Sequence, residues 1–162
     1  MVVYNPKKGY GFTKEVLKHL KALNVKTLAL EKLSRDEMEA ILKRAKVYLE
    51  FGSLPGKDRI PREAIMLGCC VLMGKNGSGK YREDFPLPEK YLFDCDLIEI
   101  PRIVKAVQSV LSQYTEEIAK YEFYRRIIRD EKRLFSEHLK NIFVPSTSRE
   151  SFITKPHKSD AK

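Results

Sequence analysis

Three observations on the sequence predict an α/β fold: a doubly wound parallel sheet followed by a long C-terminal helical region. Short apolar runs of strand length alternate with helical segments of ten or so residues. The connections between them are short and polar. One run, Cys69 to Met73, is apolar throughout, as expected of a strand covered on both faces. The length of 162 residues suits one domain that buries roughly two-thirds of its unfolded surface. The sequence contains no apolar run of about 18 residues that could span a bilayer.

Val2 to Tyr4 reads as the first strand, and Asn5-Pro6-Lys7-Lys8-Gly9 with Gly11 as the loop leaving it. Thr13 is the expected cap of a first helix, with Val16, Leu17, Leu20 and Leu23 on its buried stripe and Asn24 as its stop. Val25 to Leu30 follows as a strand. Ser34-Arg35-Asp36-Glu37 has capping-box spacing, the serine oxygen accepting near Glu37 while Glu37 reaches back to Ser34, and Leu33 and Met38 are placed for a hydrophobic staple. Met38, Ile41, Leu42 and Ala45 give the inner face of that helix, and Val47 to Phe51 the third strand. Glycines and Pro55 make a loop of Gly52 to Arg59. Pro61 suits the first turn of a short helix ending at Leu67, with Gly68 after it. Beyond Cys69 to Met73, Gly74 to Lys80 is a polar loop, the stretch with Pro86 and Pro88 is irregular, and Tyr91 to Phe93 is a last short strand.

Pro101 opens the helical region. Ile103, Val107, Val110, Tyr114, Ile118, Tyr121, Ile128, Phe135 and Leu139 mark one face of it. An unbroken rod to Phe143 would approach roughly 60 Å at about 1.5 Å per residue, so a break is expected near Ser112 to Thr115. Residues 1–144 are expected to form one domain, 101–144 being its C-terminal helices. Residues 145–162, mostly Ser, Thr, Lys and other polar residues, read as a disordered tail.

The formal net charge of +9 favours polyanions, anionic headgroups or phosphorylated ligands. Much of it falls on Arg125, Arg126, Arg129, Lys132, Arg133 and the tail lysines. Glu116, Glu117, Glu122, Asp130 and Glu131 are interspersed, the pattern of a solvated helix face. Cys69, Cys70 and Cys95 form neither a CxxC pair nor a disulfide framework, and the N-terminus shows no signal core, so a reducing cytoplasm is expected. Cys69 and Cys70 read as small hydrophobes. The histidines are scattered, His19 on an exposed helix face, so neither a metal site nor a nucleophilic triad is expected, and no cofactor.

In a sheet of this kind ligands collect beyond the carboxyl ends of the strands. Three loops leave those ends, Asn5 to Phe12, Gly52 to Ile60 and Gly74 to Tyr81, and each is rich in glycine and lysine. Glycine lets backbone amides approach an anion, lysine supplies charge, and the following helix adds its positive end. That combination suits a phosphorylated ligand. Gly74-Lys75-Asn76-Gly77-Ser78-Gly79-Lys80-Tyr81 nearly completes the phosphate loop GxxxxGK[ST]. Tyr81 lacks the small hydroxyl that would meet magnesium, and Pro86 and Pro88 cannot continue the required helix. The segment therefore reads as a flexible loop able to touch a phosphate or sugar.

Gly56-Lys57-Asp58-Arg59-Ile60-Pro61-Arg62-Glu63-Ala64-Ile65-Met66-Leu67-Gly68-Cys69-Cys70-Val71 resembles the Pro-x-Glu-Ala…Gly-x-x-Val stretch of retaining, family-4-like GT-B glycosyltransferases. The likeness runs over about Val2 to Phe93 as a series of strands, helices and loops. It implies a Rossmann-like domain that binds a nucleoside-diphosphate sugar. It implies further that Glu63, in the first turn of its helix, hydrogen-bonds the ribose, a task suited to a carboxylate accepting two hydroxyls. Lys7 or Lys8 would contact the diphosphate, with Gly9, Gly52, Ser53, Arg59 and Arg62 around the same donor. The family's earlier glutamate, which touches the donor sugar, falls here at Pro55. The chain is also too short to include an acceptor-binding domain, so the resemblance implies a partial enzyme that binds donor and is inactive alone. In this family metal is usually not required. Asp94-Cys95-Asp96 has the bare DxD spacing but follows the last strand.

A second reading is a basic nucleic-acid module, in which Arg125, Arg126, Arg129, Lys132 and Arg133 meet phosphates and Tyr121, Phe123 and Tyr124 stack on bases. It is disfavoured because Tyr121, Tyr124 and Ile128 fall on the apolar stripe. In a third, the C-terminal helix contacts the inner face of a membrane peripherally or docks on a partner. The stripe is longer than so small a sheet can cover. Its part near Tyr121, Tyr124 and Ile128 is expected to lack an intramolecular partner, favouring self-association or a separate acceptor domain.

Overall fold

Five short strands pair in parallel in the order β2-β1-β3-β4-β5 in the computed structural model, which describes residues 1–143. They are β1 (Val2–Tyr4), β2 (Thr27–Ala29), β3 (Val47–Glu50), β4 (Cys70–Gly74) and β5 (Leu92–Phe93). The register sets Val3 beside Leu28 on one side and Tyr48 on the other, and Val71 beside Tyr48. The helices are α1 (Tyr10–Ala22), α2 (Arg35–Arg44), α3 (Arg59–Met66), α4 (Ile100–Ser112), α5 (Tyr114–Ala119) and α6 (Glu122–Phe143). This is the doubly wound, Rossmann-like α/β architecture expected. The expected tail, 145–162, lies outside the described residues. Among the described residues no helix is long and apolar enough to cross a membrane.

Right-handed crossovers place the helices. The β1 to β2 connection moves one way across the sheet and β2 to β3 the other, so α1 and α2 lie on opposite faces. Helix α3 shares the face of α2, and α4 packs against α1 on the other. The middle strands are therefore covered twice. Val2, Val3, Val47, Tyr48, Val71, Leu72 and Met73 are fully buried, and each such apolar side chain contributes about 1.5–3 kcal/mol. Burial pushes the thiols of Cys69 and Cys70 up to about 12, leaving them as small hydrophobes.

Helix starts follow local chemistry. At α2 the capping box is complete, with Glu37 N donating to Ser34 Oγ at 3.3 Å and Ser34 N to Glu37 Oε2 at 2.7 Å. Thr13, by contrast, does not cap α1. The helix begins at Tyr10 behind Gly9, and Thr13 is buried one turn in, its hydroxyl donating to Gly9 O at 2.9 Å. The first loop is accordingly shorter than expected, Asn5 to Gly9. Gly9 has φ of +59°, and a Cβ there would collide with the Phe51 carbonyl, so both its conformation and its closeness to the next loop demand glycine.

The helical region breaks where expected, between Ser112 and Tyr114. Helix α5 passes beneath the amino-terminal edge of the sheet. Tyr114 donates to Gly68 O at 2.7 Å, and Lys46 stands 5.1 Å above its ring. The β4 to β5 crossover contains two short 3-10 turns and no α-helix. The turn into α6 and the first residues of that helix cover it instead. Tyr121 stacks on Tyr91 with ring centroids 5.4 Å apart and donates to Val71 O at 2.7 Å. Tyr124 meets Phe85 edge to face and donates to Asp84 O at 2.8 Å. Both tyrosines are buried and Ile128 is half-buried, which overturns the expectation that this stretch of the stripe lacks an intramolecular partner. The missing crossover helix made room for it.

Residues Met1–Ile128 form one unit and Arg129–Lys162 a second. Within the second, α6 continues to Phe143, with Leu134, Phe135, Leu139, Ile142 and Phe143 exposed.

Candidate functional site

In the order β2-β1-β3-β4-β5 the chain turns outward in opposite directions after β1 and after β3, which makes the carboxyl edge of this neighbouring pair the topological switch point. The loops Asn5 to Gly9 and Phe51 to Asp58 leave it side by side. Gly9 lies against the Phe51 carbonyl, and a Cβ on Gly52 would collide with that of Lys8. Each loop runs into a helix whose first turn carries no side-chain cap, α1 behind Gly9 and α3 behind Asp58. The capping box of α2 shows that this sequence closes a helix start elsewhere. Two helix N-termini without side-chain caps thus stand over adjacent strands, each with the partial positive charge of its first turn.

Under this edge lies a polar network that the sequence reading missed. Glu50, the last residue of β3, is 1% exposed. Its carboxylate accepts from Tyr48 Oη at 2.6 Å and from the Gly52 amide at 3.1 Å. Burial raises the pKa of Glu50 above the ordinary carboxylate value, although those two bonds pull the other way. Burial, with the adjacent carboxyl, raises the Tyr48 phenol as well. Asn5, itself buried, holds the first loop by accepting from Lys7 N at 2.9 Å. Above Glu50, Lys8 forms an ion pair with Asp58, joining the two loops across fifty residues of sequence. A signal for Glu50 was available, because a carboxylate inside a strand of otherwise buried residues is rare without a dedicated partner. Tyr48, two residues earlier on the same side of the strand, is that partner.

The eight residues expected at the site divide between two places. Lys8, Gly9 and Gly52 meet at the switch point; Lys7 and Ser53 flank them in the two loops, the Ser53 hydroxyl lying toward Gly77 of the third loop. Arg59, Arg62 and Glu63 project from α3 into a cavity of about 390 Å³ between α2 and α3, where Arg35 and Lys57 add positive charge and Met38, Leu42, Met66 and Ile128 give an apolar floor. Asp58, at the head of α3, lies between the two groups. Glu63 sits in the second turn of α3 and not the first, since the helix begins at Arg59. It is half-buried, 3.6 Å from Arg59 in an i,i+4 pair. It lines the cavity together with Arg59 and Arg62, and Glu39 of α2 lines it as well.

The third loop is hydrogen-bonded within the protein. The amides of Lys75, Ser78, Gly79 and Tyr81 donate to Phe93 O, Leu54 O, Asn76 O and Ser78 O. Ser78 Oγ donates to Gly56 O at 2.7 Å, and Asn76 Nδ2 to Phe51 O at 3.3 Å. Amides that a phosphate loop would offer to its ligand are thus engaged within the protein, and the segment acts as a brace behind the second loop. In the DxD-like triplet, Cys95 accepts from Asn76 at 3.0 Å and Asp96 caps a short turn through Ile98 N at 3.2 Å, which gives both a structural task.

The residues of the nucleic-acid reading are partly committed as well. Tyr121 and Tyr124 are buried, and Arg125 donates to Ile65 O at 2.9 Å, so none of the three presents its polar or aromatic face to a strand of bases. Comparison with protein-family models, with curated proteins and with solved structures finds no match to this chain.

Proposed function

We propose that this chain is a nucleoside-diphosphate-sugar-binding domain of GT-B glycosyltransferase type, with the diphosphate at the β1/β3 switch point and the nucleoside directed toward Glu63. One observation supports it above the others: the uncapped N-termini of α1 and α3 stand together over adjacent strands, among Lys7, Lys8, Lys57 and Arg59. Backbone amides and cations converging on one edge suit an anion of two phosphates. The neighbouring cavity, with an apolar floor and a carboxylate at its side, suits a nucleoside. In this reading the basic edge stabilises charge on the departing diphosphate, and a separate domain brings the acceptor.

A thermal-shift titration tests this directly. At a hundredfold excess over its dissociation constant the right nucleoside diphosphate stabilises the fold by about 2.7 kcal/mol. A flat response to all the common nucleoside diphosphates at millimolar concentration overturns the reading.

A further inference from the structure

Lys8 stands at the centre of the switch-point edge, and a carboxylate of the same chain already holds it. We propose that Asp58 is a resident counter-anion of this seat, which an incoming phosphate must displace from Lys8 before it can bind. The inference rests on the diphosphate-binding reading above and deepens it, by assigning a residue that sets affinity through competition with the ligand.

The geometry carries the argument. Asp58 occupies the N-cap position of α3 with the extended dihedrals of a capping residue, φ −64° and ψ 142°. An aspartate there ordinarily accepts from the amides of its own helix. This one does not, because its side chain is turned to Lys8 in the first loop. The carboxylate therefore has two seats, Lys8 and the first turn of α3. Passing between them needs only side-chain rotation, since the backbone already has capping geometry. The pair is partly open to solvent, with side-chain exposures of 36% for Lys8 and 18% for Asp58, so a ligand can reach it. Glu50 lies beneath and its charge also acts on Lys8, but the direct ion pair of Lys8 is with Asp58, while the oxygens of Glu50 accept from Tyr48 and Gly52. When a phosphate takes Lys8, Asp58 can turn back and cap α3. When the phosphate leaves, Asp58 returns and neutralises the lysine.

The opposite possibility is that the ion pair serves the ligand by pinning the two loops in place. Replacing the carboxylate separates the two ideas by sign. Asp58→Asn keeps a good capping side chain and removes the charge. Isothermal titration with inorganic pyrophosphate, on variants whose folding is checked by thermal melting, is expected to show about tenfold tighter binding than wild type, equivalent to about 1.4 kcal/mol. The gain should vanish in a Lys8→Ala background. Asp58→Ser, also neutral and also a capping residue, repeats the test should the asparagine variant fold poorly. Equal or weaker pyrophosphate binding by the folded variants overturns the role of Asp58 while leaving the binding site standing. Absence of pyrophosphate and nucleoside-diphosphate binding in wild type and variants alike overturns the binding reading, and this inference with it.

Discussion

Glu50 is a carboxyl whose surroundings favour its protonated form. It is buried at the end of β3, bonded to a phenol and an amide, and its pKa is raised by that burial. Such a group takes up a proton on folding, so the stability it contributes is present at low pH and falls as pH rises from the ordinary carboxylate value through the raised one. Glu50→Gln keeps an acceptor for Gly52 and a partner for Tyr48 without the ionisation. The variant is expected to melt at higher temperature than wild type at pH 8 and at the same temperature at pH 4. Identical melting at both pH values would mean that burial does not penalise the charge. Glu63→Ala should weaken nucleoside-diphosphate binding by about 1–3 kcal/mol without changing the melting temperature of the free protein, read by calorimetric titration. Of these two carboxylates, the sequence indicated Glu63 through its motif and not Glu50. What made Glu50 informative was its burial, and burial of a strand's last residue depends on how closely Gly9 and Gly52 let two loops approach.

Among the elements, α5 is a short link fastened by one buried acid. Glu117, read from its charged neighbourhood as part of a solvated face, is 3% exposed and accepts from Tyr91, Lys90, Lys120 and Ser109. Burial alone would raise its pKa, but those four donors outweigh it and hold the group at about 2. The sign is opposite to that of Glu50. This stability is present above the ordinary value of 4.5 and is lost as pH falls from there toward about 2. Glu117→Ala should cost about 2–3 kcal/mol, mostly by leaving the buried Tyr91 hydroxyl without its partner, and should flatten that acid limb in a denaturant series. Sequence periodicity separates acids from apolar residues on a helix. It does not show that two lysines and a phenol, one of them 27 residues away, converge on a single carboxylate. Where signals were local the reading succeeded, as in the Ser34 capping box and the break after Ser112. It misplaced the start of α1 because a glycine N-cap leaves no side-chain signature and Thr13 offered a misleading one.

For the molecule as a whole, the alternation of apolar runs and helical stripes was enough to read a parallel, doubly wound sheet, because each element's period is set by its own residues. The strand order and the wrapping of the C-terminal helices were not legible in this way, since they depend on pairings far apart in sequence. Tyr121 reaches Val71 across 50 residues and Arg125 reaches Ile65 across 60. A chain ending at Ile128 is accordingly expected to fold with cooperative melting, whereas one ending at Lys120 loses Tyr121 over β4 and Tyr124 over the crossover and should show no sharp transition by near-ultraviolet circular dichroism. The crossover that lacks a helix also has a consequence in time. A ribosome releases β4, Phe85 and Tyr91 well before the tyrosines that cover them, so the growing chain holds a half-covered sheet until residue 125 has emerged. A pause or premature stop between residues 93 and 121 would leave apolar surface open to other nascent chains, making this interval of synthesis the one in which the protein is most prone to aggregate.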